Sequence, residues 1–204
     1  MTSASDGVVA LYERHAREWD ADRRRGRFVE KDWVDRFIAL TRPSGRILDI
    51  GCGGAEPIAR YLVDAGFAVT GIDSSPTMIA LCSQRLPSQK WAVHDMRTLR
   101  LQKFFDGIIA WDSFFHLNPD DQRRMIPIFG AHASPGAPLL FSSGPRHGEA
   151  IGAYGGDPLY HGSLDPVEYR MQLAASGFSV VTFTAEDPHC GGHTVWLARS
   201  IKER

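Results

Sequence analysis

The chain has little of what marks membrane, secreted or nucleic-acid-binding proteins. No run of about 18 apolar residues could span a bilayer, and the start lacks the basic and apolar segments of a signal peptide. Only three cysteines occur, without a C-x-x-C pair, which favours a reducing compartment. The formal net charge is −1, so no strong basic field favours nucleic acid or an anionic membrane. We therefore expect a cytoplasmic protein that is a monomer or a homodimer and that binds neither nucleic acid nor a membrane.

The composition and length indicate one globular α/β domain. Of the 204 residues, 43% are hydrophobic and 23% charged. Short β-branched runs alternate with helical patterns, which predicts a doubly wound, mostly parallel sheet. Two helices are predicted within residues 8–40. The predicted strands are 46–50, 68–73, 90–95, 105–112, 138–144 and a closing hairpin of 179–186 with 194–201.

One long segment, 145–164, has neither a strand nor a helix pattern and is predicted to be an irregular loop. Loops of this length in compact domains are usually functional. Because the segment follows the fifth predicted strand, it should lie at the carboxyl edge of the sheet, where open α/β folds bind ligands.

A glycine-rich turn follows the first predicted strand, in the sequence ILDIGCGGAEPIARYL (47–62). Gly51 and Gly53 allow a tight turn in which a ligand can approach main-chain N–H groups. A dinucleotide fingerprint G-x-G-x-x-G/A would require a small residue at position 56, but Glu56 would place a carboxylate beside a pyrophosphate. The turn therefore argues against a dinucleotide, and Asp49 suits a ligand that carries a cation.

Aspartates stand at the ends of four consecutive predicted strands. Asp73 could accept both hydroxyls of a ribose. Asp95 could accept an adenine amino proton while the N–H of Met96 meets a ring nitrogen, and Asp112 ends the fourth strand. Any one of them could merely cap a turn. Four aspartates in register at one edge make a coincidence improbable and indicate a nucleoside-binding site.

Together these motifs resemble the class I S-adenosylmethionine (SAM)-dependent methyltransferases, in the group with small-molecule acceptors. The resemblance covers nearly the whole chain and implies a Rossmann-like, doubly wound, seven-stranded sheet whose last strand is antiparallel. It also implies one domain over 1–204, with an N-terminal helical cap (1–42) and a Rossmann-like core (43–204). The chain departs from the family at Ala55, where a third glycine is usual.

The resemblance also assigns roles to residues around SAM, the expected cofactor. Asp49, Gly51, Cys52 and Gly53 would surround its methionine part, and Asp73 with Ser74 its ribose. The full expected cofactor set is Tyr12, Trp19, Asp49, Gly51, Cys52, Gly53, Asp73, Ser74, Asp95, Met96 and Trp111. Tyr12 and Trp19 could instead be ordinary core aromatics at helical spacing. The basic run 23–27 could contact the cofactor carboxylate or an acidic substrate, or it could be a solvated helix face.

The acceptor side is predicted between His116, the 145–164 segment and the 188–193 hairpin, over the carboxyl ends of the fourth and fifth strands. His116, in SFFHL, could remove a proton from an oxygen or nitrogen acceptor, or could simply pack or cap the next helix. His161 is the second candidate base. The expected substrate-binding set is Asp112, Phe115, His116, Arg146, Tyr154, Tyr160 and His161.

The histidines and cysteine of PHCGGH (188–193) could suggest a metal, but a fourth ligand at familiar spacing is missing and a hairpin turn explains the glycines. No metal is expected. Two functions from different classes remain open. The first is methyl transfer from SAM to oxygen or nitrogen of a small molecule, by in-line displacement with an optional general base. The second is SAM binding without catalysis, as a sensor or partner subunit.

Overall fold

The computed structural model describes residue 5 and residues 7–203. Within this part of the chain, seven α-helices and nine β-strands alternate. The helices are α1 (Gly7–Arg14), α2 (Ala16–Arg25), α3 (Lys31–Leu40), α4 (Ile58–Asp64), α5 (Pro76–Arg85), α6 (Pro119–His132) and α7 (Pro166–Ala175). The strands are β1 (Arg46–Ile50), β2 (Ala68–Asp73), β3 (Lys90–Val93), β4 (Gly107–Ala110), β5 (Pro138–Ser143), β6 (Gly148–Tyr154), β7 (Asp157–Ser163), β8 (Phe178–Asp187) and β9 (His193–Ser200).

Seven strands form one sheet in the order β3-β2-β1-β4-β5-β9-β8. Strands β1 to β5 pair in parallel, whereas β9 pairs antiparallel with both β5 and β8. This confirms the predicted seven-stranded, doubly wound sheet with an antiparallel last strand. The chain order reverses between β1 and β4, so the carboxyl ends of these strands border a crevice of the kind that binds ligands in open α/β folds.

The central strands are buried on both faces, which explains why they read as continuous apolar runs rather than alternating ones. In β1, Leu48 and Ile50 belong to the hydrophobic cluster on one face, while Ile47 belongs to the cluster on the other. In β4, Ile108 belongs to the first of these clusters and Ile109 to the second. Burial on both faces makes the strand ends rigid supports for the loops beyond them.

The N-terminal segment forms three helices rather than the two that were predicted. The first predicted helix is interrupted at His15, whose backbone (φ −102°, ψ 14°) leaves helical geometry. The His15 ring is held by Asp157 at 3.0 Å and by Glu18 at 3.1 Å, so contacts outside the helix accompany the break. The interruption predicted near Gly26 is present.

The prediction of an irregular 145–164 loop is wrong, because most of it forms the two-stranded antiparallel hairpin β6–β7. Its turn is Gly155-Gly156, and both glycines have positive φ (58° and 85°), as a two-residue hairpin turn requires. Solvent covers most of β6, and its glycines weaken the alternation that normally reveals a strand. Among the described residues, no helix is long and apolar enough to cross a membrane.

Candidate active site

The glycine turn after β1 is held by main-chain bonds. The N–H groups of Gly51 and Cys52 both donate to the carbonyl of Ile72 in β2, at 2.8 and 3.0 Å. Gly51 has φ +72°, and a Cβ there would stand 2.2 Å from the Cβ of Ser113. Gly51 is therefore required by close packing against the protein itself. Gly53 (φ +51°) instead faces open space, since a Cβ there would have no neighbour within 4 Å.

Ala55 takes the position where the family usually has glycine, and its φ is +69°. Glycine adopts this conformation without the steric cost that a Cβ brings. The turn after β1 thus contains a non-glycine residue in the left-handed region.

Asp73, the last residue of β2, connects the glycine turn to the loop that follows β2. Its carboxylate accepts the N–H of Gly53 at 2.9 Å and the N–H of Ser75 at 2.9 Å. Burial raises the pKa of Asp73, and these main-chain donors oppose that rise. The result is a buried carboxylate at a cavity wall, with capacity to accept further hydrogen bonds.

Asp49 is the most isolated charge of the site. Only 4% of the residue is exposed, and no hydrogen bond or ion pair to its carboxylate occurs among the described residues. Burial, followed by the field of Asp73, raises the pKa of Asp49 to about 7, although Arg23 acts in the other direction. A buried carboxylate in this state favours a cationic ligand.

Asp95 lies two residues beyond β3 and begins a one-turn 3₁₀ helix at Met96–Thr98. Its carboxylate accepts the N–H of Arg97 at 2.9 Å and pairs with the Arg97 guanidinium at 2.7 Å. Although burial acts to raise the pKa of Asp95, the bonds from Arg97 outweigh it and hold the pKa below its usual range.

These loops line two adjoining cavities. The β2 cavity, of about 100 Å³, lies over the ends of β2 and β3. It is bordered by Tyr12 of α1, by Asp73 and Ser74 after β2, and by Asp95 and Met96 after β3. The β1 cavity, of about 50 Å³, is bordered by Asp49, Arg23 and Trp111. Gly51, Gly53, Trp19 and Asp112 line both. Every residue of the predicted cofactor set lines one or both cavities; their roles remain predictions.

The N-terminal helices cover these cavities and are fastened to the core by charged groups. Glu13 of α1 accepts hydrogen bonds from the hydroxyls of Ser75 (2.5 Å) and Thr77 (2.6 Å), at the start of α5. Asp20 of α2 pairs with Arg85 through two bonds, at 2.5 and 2.6 Å. Tyr12 and Trp19 therefore lie over the cavities rather than within an apolar core alone.

Sequence reasoning left Arg23 undecided, and the structure places it inward. Arg23 lines the β1 cavity and forms an ion pair with Glu30, which is fully buried. The neighbouring Arg25 is mostly exposed and pairs with Asp22. Arg23 lies four residues after Trp19, so the two side chains share one face of α2. This spacing could have distinguished Arg23 from the other arginines of the basic run.

His116 lies in the β2 cavity with both ring nitrogens engaged. Its Nδ1 lies 2.8 Å from the carbonyl oxygen of Tyr160, so Nδ1 must carry the proton. Its Nε2 then accepts the hydroxyl of Tyr12 at 2.8 Å. Burial lowers the pKa of His116 to about 4 and raises the pKa of Tyr12 above its usual range, so both groups are neutral near pH 7.

A third cavity, of about 450 Å³, opens between the two β-hairpins and is here called the hairpin cavity. Its wall includes Phe115, Arg146 and His161 from the predicted acceptor set, together with His193 from the β8–β9 turn. His161 packs against Phe115, with ring centroids 5.3 Å apart. Burial lowers the pKa of His161, which favours its neutral form.

Two predicted acceptor residues, Tyr154 and Tyr160, line none of these three cavities. Tyr154 packs edge-on against Trp19 and His15, and its hydroxyl donates to Asp22 at 2.9 Å, so it fastens the β6–β7 hairpin to α2. Tyr160 is 3% exposed within an apolar cluster with α1. Strand alternation turns its side chain to the face opposite His161, which a loop interpretation could not foresee.

His193 is a site residue that the sequence did not assign. Its Nε2 lies 3.0 Å from Oδ1 of Asp112, and its ring lies 5.2 Å from that of Trp111. Within residues 7–203, no group of three or more His, Cys, Asp or Glu side chains could hold a metal ion. The sequence indicated that the 188–193 turn could border the acceptor pocket, but it gave His193 no role of its own there.

The two smaller cavities fit the groups that SAM carries. Asp49 is a buried carboxylate without a partner that suits a cation, and Asp73 can accept ribose hydroxyls. The Nε1–H of Trp111 is a buried donor without an acceptor in the described part of the chain, and it lies at the β1 cavity. The open space at Gly53 leaves room for a ligand against the main chain.

Comparisons with known proteins agree with this geometry. Residues 47–136 match the family model described as "Methyltransferase domain". The putative methyltransferase YqeM of Bacillus subtilis is 34% identical over 90 residues, which is 42% of this chain and only 36% of that protein. The uncharacterized methyltransferase YrrT of the same organism is 28% identical over 180 residues, covering 80% of this chain and 81% of that protein.

Among solved structures, the N-methyltransferase NodS from Bradyrhizobium japonicum, in complex with S-adenosylhomocysteine (SAH), has the same fold. The TM-score is 0.72 at 18% identity, and the match covers 96% of this chain and 100% of that one. The matched domain begins at β1 and includes the glycine turn and all four aspartates, which are the features that define the two smaller cavities. Residues 47–136 of the chain are thus similar to a methyltransferase domain, and the fold is that of solved SAM-dependent methyltransferases.

Proposed function

We propose that this chain transfers a methyl group from SAM to a nitrogen or oxygen atom of a small molecule, which lies in the hairpin cavity and extends to Asp112 at the border of the cofactor cavities. The observation that carries the proposal is the placement of all eleven expected cofactor residues on two adjoining cavities, with Asp112 at their junction. The hairpin cavity begins on the other side of Asp112, at His193.

The cofactor would be held at both ends and covered by α1 and α2. Asp73 would bind the ribose, Asp95 and Met96 the adenine, and Asp49 with Trp111 the methionine part. When bound, SAM supplies an activated methyl group on a sulfonium. The chain's own task is to hold the acceptor in line with that group and to exclude water, and such alignment can contribute roughly 7–11 kcal/mol.

His161 is the better placed of the two candidate bases. Its pKa is lowered by burial, so it is neutral, and it lies at the hairpin cavity where the acceptor would bind. His116 uses both ring nitrogens for Tyr160 and Tyr12, and its pKa of about 4 makes it a weak base. We assign proton removal to His161. His116 instead accepts the hydrogen bond that fixes the Tyr12 hydroxyl.

The alternative, a SAM-binding protein without catalysis, would be favoured by an occluded acceptor side. A hairpin cavity of about 450 Å³ supports catalysis instead. That cavity has the size for a small molecule, so we propose no nucleic-acid partner, and the described chain is proposed to act as a monomer or homodimer. The thiols of Cys52, Cys82 and Cys190 are free, which supports the proposal of a reducing, cytoplasmic compartment.

The proposal is tested by incubating the protein with methyl-labelled SAM and pools of small amines, phenols and carboxylic acids, and by following labelled products by mass spectrometry. We expect a labelled product from the wild type and none from Asp73→Ala. SAH binding without any labelled product across the pools would favour the non-catalytic alternative.

A further inference from the structure

Asp112 is held in an unusual conformation two residues beyond β4. Its φ is +46°, in the left-handed region that aspartate and asparagine adopt more readily than most other L residues. Its N–H donates to the Ser142 hydroxyl at 2.9 Å, and its Oδ1 faces Nε2 of His193 at 3.0 Å. No hydrogen bond to its Oδ2 occurs among the described residues.

The protonation of His193 follows from its two neighbours. Its Nδ1 lies 2.7 Å from the carbonyl oxygen of Cys190, which can only accept, so Nδ1 carries a proton. Its Nε2 faces a carboxylate, which also only accepts when ionised. His193 can therefore donate from both nitrogens as an imidazolium, and the hydrogen bond that it donates to Asp112 raises the pKa of His193.

The pair lies between the cofactor cavities and the hairpin cavity. Asp112 lines the β1 and β2 cavities, whereas His193 lines the hairpin cavity. The negative charge of Asp112 also acts to raise the pKa values of Tyr12, Arg23 and His161. It therefore influences groups at the cofactor cavities and at the hairpin cavity. Because the ion pair engages only Oδ1 of Asp112, Oδ2 can accept a charge-assisted hydrogen bond from a cationic donor.

We propose that Oδ2 of Asp112 binds the amino group of the methyl acceptor, that His193 is the positioning residue that fixes Asp112 for this contact, and that the acceptor is an amine. This inference rests on the proposed function. An ammonium has no lone pair, so one proton must leave its nitrogen before that nitrogen can accept a methyl group. The neutral imidazole of His161, at the wall of the hairpin cavity, takes that proton.

The test uses probes that share one tail and differ only in the head group: n-butylammonium, n-butanol and butyrate. Each is titrated into the SAH-loaded protein while the side-chain ¹H–¹⁵N signals of His193 and His161 are followed by NMR. A charge-assisted hydrogen bond of about 1.5–3 kcal/mol predicts that n-butylammonium binds roughly 10- to 150-fold more tightly than n-butanol. Asp112→Asn should remove this preference. An equal response to the three probes, including no response to any, or a preference for butyrate, would overturn the inference.

The positioning role of His193 is tested with two substitutions. His193→Ala leaves Asp112 without its partner and should reduce the preference for n-butylammonium. His193→Gln, whose amide N–H can still donate to Asp112, should restore part of it. Identical preferences in the two variants would contradict the positioning role. A wild type that fails to bind SAH contradicts the proposed function, whereas one that binds SAH without a head-group preference contradicts only this inference.

Discussion

The hydroxyl of Tyr12 donates to Nε2 of His116 across 2.8 Å, which joins helix α1 to the loop after β4 over the β2 cavity. The other nitrogen of His116 holds the main chain of Tyr160 in β7. One imidazole thus connects the N-terminal cover, the sheet edge and the β6–β7 hairpin. These contacts separate the structural task of His116 from the proton transfer that we assign to His161.

The first prediction distinguishes the two histidines. His161→Gln should lower kcat about 10²–10⁴-fold and leave the affinity for SAM nearly unchanged, because a general base contributes that much. The wild-type rate should rise with pH through the lowered pKa of His161 and then level off, since the base acts unprotonated. Steady-state kinetics between pH 4 and pH 9 measures both effects.

Tyr12→Phe is the matched control, because it removes the bond to His116 without touching His161. We expect it to change the affinity for SAM more than the pH profile. If the pH-dependent limb persists unchanged in His161→Gln, His161 is not the base and our assignment is wrong.

The second prediction concerns Asp49. Burial raises the pKa of Asp49 in the folded state to about 7, against an ordinary value of 3.8. Between these values the folded state binds more protons than the unfolded state, so this carboxylate makes stability fall as pH rises from about 4 to 7. Asp49→Asn should therefore raise the free energy of unfolding at pH 8, by up to about 4 kcal/mol, and should weaken SAM binding.

Chemical denaturation at pH 5 and pH 8 measures the stability effect, and calorimetry measures the affinity. Asp64→Asn, at the exposed end of α4, is the control and should change neither. A variant Asp49→Asn that binds SAM as tightly as the wild type at pH 8 would remove Asp49 from the cofactor site.

The third prediction separates the two glycines of the turn. Gly51→Ala should strongly destabilise the fold, because its Cβ would collide with Ser113. Gly53→Ala meets no neighbour, so it should cost only about 1–2 kcal/mol for its left-handed backbone while the new Cβ obstructs both cofactor cavities. Melting temperature and SAM affinity, measured together, should show a stability defect for Gly51→Ala and a binding defect for Gly53→Ala. Equal effects of both changes on both quantities would refute this division.

The sequence predicted the sheet well because its central strands are buried on both faces, so runs such as RILDI and AVTGID have no competing interpretation. It also placed Asp49, Asp73, Asp95 and Asp112 at one edge, since parallel strands bring their carboxyl ends together. Gly51 was singled out for contact with the cofactor, which stays a prediction, and the structure adds that a Cβ there would collide with Ser113. Contacts between residues distant in sequence cannot be read from local pattern.

The same limit explains the remaining errors. The β6–β7 hairpin escaped prediction because an exposed, glycine-rich strand has no apolar alternation, and the position of Tyr160 depends on that hairpin. The pairing of Asp112 with His193 joins residues 81 positions apart, after β4 and at the start of β9, and appears only once β9 inserts beside β5. The glycine turn could be predicted from local sequence, whereas the contacts of the acceptor side depend on residues that are distant in sequence.

Calorimetry of the wild type and of Asp73→Ala with SAH tests the central claim most directly, with Asp64→Ala as the exposed control. The wild type and Asp64→Ala should bind one SAH per chain, and NAD⁺ should give no heat of binding. Asp73→Ala should lose two charge-assisted hydrogen bonds to the ribose, each worth about 1.5–3 kcal/mol. Unchanged SAH affinity in Asp73→Ala, or binding of NAD⁺ in place of SAH, would contradict the account.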